Sequence, residues 1–298
     1  MRFQITHTTH YRYSRPVSLC HNEAHLRPRS FGRQRCEQSI ITVAPVPAVQ
    51  YRRRDYFSNG VDYFRIQDEH DELTVWAEST VAVTSAPTVA PLPPSVSWDA
   101  ARDRLRCGSN DAVYAAHEFV LDSPLVAANE ALAEFAAPSF PTGRPLLEAV
   151  HDLNRRIYEE FIYDPTSTTV TTPLHEVLAA RRGVCQDYAH LAIGCLRSLG
   201  LPARYVSGYV ESHPPEGQPQ ARGAAASHAW FAIFDLDAGW VDFDPTNDKV
   251  VGAQHITTAW GRDYSDVTPL KGVIFGGGEH ILDVSVAVVR LDDDALSI

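Results

Sequence analysis

The sequence predicts an α+β protein in two parts, an antiparallel β domain and then a half in which helices precede an antiparallel sheet. Alternating apolar and polar runs fill the chain to about residue 86, prolines cluster after it, and helical periodicity then gives way to further alternating runs. A length of 298 residues suits two domains of about 100–200 residues each. We therefore expect a β domain over 1–86, a Pro-rich linker and helical connector over 87–135, and a second domain over 136–298.

The N-terminal runs have the period of two that half-buried strands show. The strands predicted there span residues 3–6, 40–43, 63–66, 72–76 and 81–83. The tripeptide Ser58-Asn59-Gly60 stands between two such runs and is typical of a hairpin turn. Short strands at this spacing predict a domain of the antiparallel β-sandwich type.

The rest of the chain shows start and stop signals for helices. Four prolines lie between 87 and 97, and Ser123-Pro124 resembles an N-cap with proline at the first helical position. Gly200 and Pro202 are typical of a helix end. The predicted helices span residues 126–135, 146–161 and 184–199. The predicted strands span residues 203–210, 228–234, 240–243 and 281–291.

The charge and the hydropathy pattern argue against two classes of partner. A formal net charge of −11 with scattered basic residues argues against nucleic acid, whose phosphates bind clustered Lys and Arg. The nearest cluster, 52–54, is followed at once by Asp55, so a solvated strand end is favoured over an anion site. No apolar stretch approaches the ~18 residues of a membrane-spanning helix, and the first residues lack the apolar core of a secretory signal. We expect a cytoplasmic protein, with a bacterial cytosol as the default.

The cysteines and histidines show no disulfide or metal-ligand pattern. The five cysteines lie far apart and include no Cys-x-x-Cys pair, so neither a disulfide framework nor a zinc site is expected. Apart from His228, the thirteen histidines form no carboxylate-linked set. We therefore expect no metal and no cofactor.

Cys185 differs from the other cysteines because it opens a predicted helix. A thiol at a helix N-terminus lies at the positive end of the helix dipole and near unpaired N–H groups, which favour the nucleophilic thiolate. The same N–H groups can stabilise an oxyanion, and Gly183 lets the chain turn tightly into the helix. By itself Cys185 would more often be a buried core thiol, as Cys195 on the same helix is expected to be.

His228 begins a predicted strand, where a histidine beside a thiol could take its proton. Residues 228, 230 and 232 alternate on one strand face, so Trp230 could shield a thiol–imidazole pair from water. The Pro- and Gly-rich segment 211–227 ends directly before His228, and we expect it to be a mobile loop that could gate this residue. A lone histidine at a strand start is usually structural.

Asp244 ends the next predicted strand, because Pro245 cannot donate to a β-ladder. Two antiparallel strands joined by a short turn bring Asp244 close to His228, whose second ring nitrogen it can bond. Asp242 shares the same strand face and is the alternative. Because Asp242 lies one pleat nearer the turn, and hence farther from His228, Asp244 is favoured.

Segments in the right order resemble the bacterial transglutaminase-like family. They are Gly183-Val184-Cys185-Gln186-Asp187-Tyr188-Ala189-His190 for the nucleophile, Ser227-His228-Ala229-Trp230, Asp244-Pro245-Thr246-Asn247, and the stretches 201–209 and 261–267. Residues 6–13 and 26–29 resemble the β domain that bacterial members carry. The resemblance covers most of the chain and implies a papain-like, transglutaminase-like catalytic core. It places Cys185 as the nucleophile, His228 as the base and Asp244 as the orienting carboxylate.

Three further residues are candidates for oxyanion or substrate contacts: Gln186, Tyr163 and Trp230. The chain departs from the family after Ala-Trp, where many members carry an acidic residue two positions on and this one has Ala232. A substrate contact through that position is therefore not implied.

The leading interpretation is a thiol-dependent hydrolase or acyltransferase that acts on amide or peptide bonds through a thioacyl intermediate. Water is the favoured acceptor, since no sequence feature shows its exclusion, and this gives a cysteine protease or amidase. The alternatives are a protein-crosslinking transglutaminase and a non-catalytic binding module that keeps the fold. A peptide or protein substrate is expected. The sequence leaves the oligomeric state open, a homo-oligomer included.

Overall fold

The structure, a computed structural model, describes residues 1–84, 92–108, 110–211 and 226–291. Its strands are β1 Arg2–Ala24, β2 Gln34–Ala44, β3 Val49–Arg54, β4 Gly60–Ile66, β5 His70–Val83, β6 Ile162–Tyr163, β7 Arg182–Gly183, β8 Ala203–Val210, β9 His228–Asp235, β10 Gly239–Asp244, β11 Lys249–Val250, β12 His255–Gly261, β13 Leu270–Gly276 and β14 His280–Leu291. Its α-helices are α1 Trp98–Cys107, α2 Asp111–His117, α3 Glu130–Ala136, α4 Leu146–Glu160, α5 Leu174–Ala180, α6 Cys185–Ser198 and α7 Tyr264–Val267. Among these described helices, none has the length and apolar character needed to cross a membrane.

The long strand β1 organises the N-terminal sheet. Its first half pairs antiparallel with β5 and β14, and its second half pairs with β4 and β13. The register with β5 shifts between Arg12 and Val17, where the strand bends. Because β1 runs through both halves, the sequence-predicted sandwich is one curled seven-stranded sheet. The predicted α+β class is confirmed.

The last two strands belong to the N-terminal sheet, which corrects the predicted domain boundary of 136–298. Both β13 and β14 pair with β1, and Val286 and Val288 of β14 are buried against Phe3 and Ile5. The periodicity of β14 indicates a strand, but periodicity does not say which sheet a strand joins. The β domain is therefore built from both ends of the chain.

The C-terminal half contains a five-stranded antiparallel sheet in the order β11-β10-β9-β8-β12. The helix α6 packs on one face of this sheet, and nearly all of its length is buried. The buried core side chains on and around it include Tyr188, Leu191, Leu196, Tyr205, Phe231 and Phe243. Because α6 is fixed along its length by this packing, its first residue has a defined place beside the sheet.

One helix begins later than predicted. Ser123 forms a β-bridge with Val126, and α3 begins at Glu130 with the Asn129 side chain accepting the Leu132 N–H at 3.1 Å. Asparagine is a strong N-cap, so the capping bond fixes the helix start there. The predicted connector 87–135 thus includes residues of the catalytic core, while its residues 87–91 and 109 lie outside the described part of the chain.

Side chains of the N-terminal domain cover the free edge of β12. The Gln34 amide donates to the Thr257 carbonyl and accepts the Thr257 N–H, both at 2.8 Å. Asn59 makes the same pair of bonds with Trp260, at 2.9 and 3.0 Å. Arg33 donates to the carbonyl of His255 at 3.1 Å. Unpaired N–H and C=O groups at a sheet edge can pair with a strand of another molecule. The side-chain bonds to β12 satisfy these groups and so protect this edge.

We expect Val288→Ala to lower the free energy of unfolding by about 2 kcal/mol, since it removes two fully buried methyl groups from the apolar cluster between the domains. The matched control is Val289→Ala, the next residue, whose side chain is 44% exposed and whose loss should cost less than about 0.5 kcal/mol. Urea unfolding measures both. Equal effects would contradict the packing of β14 against the catalytic half.

Candidate active site

Cys185 is the first residue of α6 and is half-buried. The Asp187 carboxylate accepts the Val184 N–H at 2.8 Å and the Thr168 hydroxyl at 2.7 Å, so it caps the helix start. Burial raises the pKa of Asp187 above its ordinary value, and the two hydrogen bonds offset only part of this rise. Asp187 therefore fixes the place of the thiol from inside the protein.

Gly183 is required by a close approach rather than by an unusual backbone angle. A Cβ atom at this position would lie 2.7 Å from the Asp187 carboxylate oxygen. The sequence suggested a tight turn, whereas the structure shows that the missing side chain makes room for the Asp187 cap.

His228, at the start of β9, is buried and binds Asp244 through Nε2, 2.8 Å from Oδ2. Its Nδ1 makes no hydrogen bond of ordinary geometry in the described part of the chain, and the Cys185 thiol is near enough to influence the ring. Burial alone would lower the pKa of His228, but the Asp244 charge and hydrogen bond, aided by Cys185, raise it to about 10. The imidazole therefore stands between thiol and carboxylate and favours the charged form.

Asp244 lies at the end of β10, completely buried, and its Oδ2 accepts from three side chains. These are His228 at 2.8 Å, Asn247 at 2.8 Å and His255 at 3.1 Å, and the N–H of Thr246 reaches Oδ1 at 2.9 Å. Burial would raise the pKa of Asp244, but the His228 charge and these bonds hold it well below its usual range. The carboxylate is therefore ionised.

The rival carboxylate, Asp242, takes a different place. It lies opposite Ala232 in the β9–β10 pair, where the charges of Arg204 and Arg33 act on it. Burial raises the pKa of Asp242 despite these cations. Of the two aspartates, the structure thus brings Asp244 to His228, as the strand geometry predicted.

Trp230 lies beneath the histidine rather than in contact with solvent. Its ring is fully buried, 6.0 Å from the His228 ring and 5.3 Å from the His255 ring. Gly208, opposite His228 in the β8–β9 pair, leaves space for it, since a Cβ there would lie 2.5 Å from the indole. The predicted shielding role fits this place, whereas a direct substrate contact does not.

The other two candidates lie close to Cys185 with different surroundings. Gln186 donates its side-chain amide to the Val170 carbonyl at 3.0 Å, so its amide is used to hold the preceding loop. Tyr163 pairs with Gly183 in the short β6–β7 sheet, and Gly183 lies two residues before Cys185. Tyr163 therefore stays a candidate for an oxyanion or substrate contact.

Two tyrosines that the sequence did not single out for the site also lie near the thiol. Burial, and secondarily Cys185, raise the pKa of Tyr205 well above its usual range. Burial, with Tyr11 and Cys185, raises that of Tyr264 to about 12. Both tyrosines keep neutral hydroxyl groups, which are suitable hydrogen-bond donors. No spacing pattern relates these residues to Cys185.

His255 is the residue that sequence reasoning missed completely. Apart from His228, the histidines were expected to form no carboxylate-linked set, yet His255 shares one oxygen of Asp244 with His228. Within the described ranges, these three residues are also the one group whose ligand atoms lie close enough to hold a metal ion. Their separations of 2.8 and 3.1 Å are those of hydrogen bonds, in which both ring Nε2 atoms bind Asp244 Oδ2. Residues 212–225 of the predicted gating loop before His228 lie outside the described part of the chain.

A cysteine at a helix start, with a histidine and a carboxylate at the ends of adjacent antiparallel strands, is the arrangement of the papain-like thiol proteins. Comparisons with known proteins place the chain more narrowly. Residues 3–82 match the profile of the bacterial transglutaminase-like N-terminal region, and residues 134–245 match that of the transglutaminase-like superfamily. The chain belongs to the bacterial transglutaminase-like family.

The similar proteins match this chain over different lengths. An uncharacterised protein of Mycobacterium tuberculosis is 42% identical over 99% of this chain and 95% of its own length. A proposed cysteine protease from Cytophaga hutchinsonii shares the fold, with a TM-score of 0.73 and 20% identity over 99% of this chain and 92% of that chain. The protein-glutamine gamma-glutamyltransferase of Pseudomonas aeruginosa is 32% identical over 45% of this chain and 21% of its own.

We expect Gly183→Ala to displace the Asp187 cap and to destabilise the protein by about 1–3 kcal/mol, the usual effect of overpacking. The matched control is Gly252→Ala, where a Cβ meets nothing within 4 Å. Thermal unfolding of the two variants checks the difference. If Gly183→Ala is as stable as the control, the close approach to Asp187 does not constrain this position.

Proposed function

We propose that this chain is a thiol-dependent enzyme that cleaves amide or peptide bonds through a thioacyl intermediate, as a cysteine peptidase or amidase. The observation that carries the proposal is the placement of Cys185 at a helix start beside a buried His228–Asp244 ion pair. A histidine held as imidazolium favours a thiolate beside it, and the thiolate is the nucleophile.

In the acylation step, the Cys185 thiolate attacks the carbonyl carbon of the amide and forms a C–S bond. The first-turn N–H groups of α6 face the helix start, where they can stabilise the developing oxyanion. His228 gives its Nδ1 proton to the leaving nitrogen as the C–N bond breaks, and the amine departs. Asp244 stays ionised throughout and holds the ring in place.

In the second step, an acceptor breaks the thioester. We favour water because Cys185 is partly exposed, so solvent can reach an acyl group on its sulfur. His228, now neutral, takes the proton of the attacking water at Nδ1. The C–S bond then breaks, the carboxylic acid leaves, and the thiolate–imidazolium pair is restored.

A second candidate reaction uses an amine as the acceptor and crosslinks proteins. The local similarity to the protein-glutamine gamma-glutamyltransferase of Pseudomonas aeruginosa supports it. The two reactions share the acylation step and differ only in what attacks the thioester.

The activated thiol can be tested without a substrate, through the rate of iodoacetamide alkylation at each cysteine. We expect Cys185 at pH 6 to react ~100-fold faster than Cys107, because an ordinary thiol with a pKa of about 8.5 is scarcely ionised there. Cys107 is exposed and serves as the reference within the same molecule. Mass spectrometry of the alkylated peptides measures both rates. Equal rates would refute an activated nucleophile.

The rate advantage should depend on the ion pair. The raised pKa of His228 means that the imidazolium persists through neutral pH and is lost only as the pH rises toward about 10. Asp244→Asn removes the carboxylate that raises it, so Cys185 in this variant should approach the rate of Cys107 at pH 6. An unchanged rate would show that Asp244 does not support the thiolate.

The acceptor is tested by supplying a glutamine-containing protein with and without a fluorescent primary amine. We expect ammonia or peptide release without incorporation of the amine, because water reaches the thioester. Cys185→Ser is the control, and it should abolish either reaction. Incorporation at a rate equal to hydrolysis or above it would favour the crosslinking enzyme.

A further inference from the structure

We propose that His255 is a positioning residue of the active site, which donates a hydrogen bond to Asp244 and so keeps that carboxylate turned toward His228. This inference rests on the proposed function, because it concerns how the His228–Asp244 pair supports the Cys185 thiolate. Nothing in the spacing of the sequence relates His255 to the other three residues.

The geometry around Asp244 leaves its orientation to a few contacts. Oδ1 is held by the Thr246 N–H, while Oδ2 has to face His228 if the ion pair is to form. His255 and Asn247 approach this same oxygen at 3.1 and 2.8 Å. Since Asn247 is only three residues from Asp244, it moves with that turn. His255 instead comes from another strand, β12, and ties the oxygen to an independent part of the fold.

The proton on His255 is defined by its surroundings. Its Nε2 faces a carboxylate oxygen and therefore has to carry the hydrogen, while its Nδ1 has no partner among the described residues and can stay unprotonated. The charged groups that face the ring are Asp244 and Asp242 on β10, His228 on β9 and Arg33 before β2. A neutral ring here donates to Asp244 without competing with His228 as a cation.

The ring itself is held firmly. The backbone carbonyl of His255 accepts a hydrogen bond from Arg33 of the N-terminal domain. The backbone N–H of His255 donates to the Gly252 carbonyl at 3.2 Å. The indole of Trp230 packs edge-on against the ring at 5.3 Å, and the side chain has almost no exposed surface. A donor that is fixed on all sides can orient the carboxylate that it binds.

The test compares two amide variants that place a donor differently. The side-chain nitrogen of His255→Gln can take the place of Nε2, whereas that of His255→Asn is too short to reach Asp244. We expect Cys185 in His255→Asn to be alkylated by iodoacetamide at pH 6 about tenfold more slowly than in the wild type. The pH at half-maximal rate should also rise by about one unit. In His255→Gln both quantities should stay within about threefold and 0.3 units of the wild type.

The matched control is His7→Asn. His7 is another buried histidine at the same domain interface, bound to the Tyr209 hydroxyl at 2.9 Å and remote from Asp244 in its bonding. It should lose thermal stability as His255→Asn does but keep the alkylation profile of the wild type. Substitution of a residue with a purely structural role would change the thermal stability and leave the alkylation rate of Cys185 unchanged.

Each outcome decides between the two proposals. If the wild-type Cys185 reacts no faster than Cys107, both the proposed function and the role of His255 are overturned. If the wild type is fast and His255→Asn is equally fast, His255 does not position Asp244, while the proposed function stands. If Gln and Asn slow the reaction alike, the ring acts by packing and the proposed hydrogen bond is refuted.

Discussion

The buried carboxylate of Asp244 is the constraint on which the rest of the site depends. An ionised carboxylate without partners costs several kcal/mol to bury, so it has to be surrounded by donors. Those donors come from β9, from β12 and from the turn that follows β10. Because one oxygen binds both His228 and His255, the first residues of β9 and β12 have to lie close together. The same ion pair then determines the protonation of the ring that faces Cys185.

The two halves of the chain form one structural unit around this site. Gln34, Asn59 and Arg33 satisfy the free edge of β12, and β14 returns from the catalytic half to complete the N-terminal sheet. A further contact joins Arg290 of β14 to the buried Glu211 through two bonds, at 3.0 and 2.9 Å. The N-terminal domain therefore holds the strand that carries His255.

Several residues of the family-like motifs serve the structure rather than the chemistry. Asp187, two positions after the nucleophile, caps the helix. In the segment 261–267, Arg262 forms a paired contact with Asp266, and the N–H of Tyr264 donates to His190 on α6. These bonds fasten α7 and the end of β12 to the helix that starts at Cys185. The motifs that resemble the family thus contain residues that hold the site in place as well as residues that react.

The sequence by itself determined the elements whose signals are local. The helix start at Cys185, the strand start at His228 and the strand end before Pro245 follow from neighbouring residues, and pleat geometry selected Asp244 over Asp242. Only the tertiary structure decided the place of His255, the partner of β14 and the cover on β12, because these depend on contacts between residues far apart in the chain. Such contacts produce no periodic pattern in the sequence, because they form only when separate sheets pack together in the folded protein.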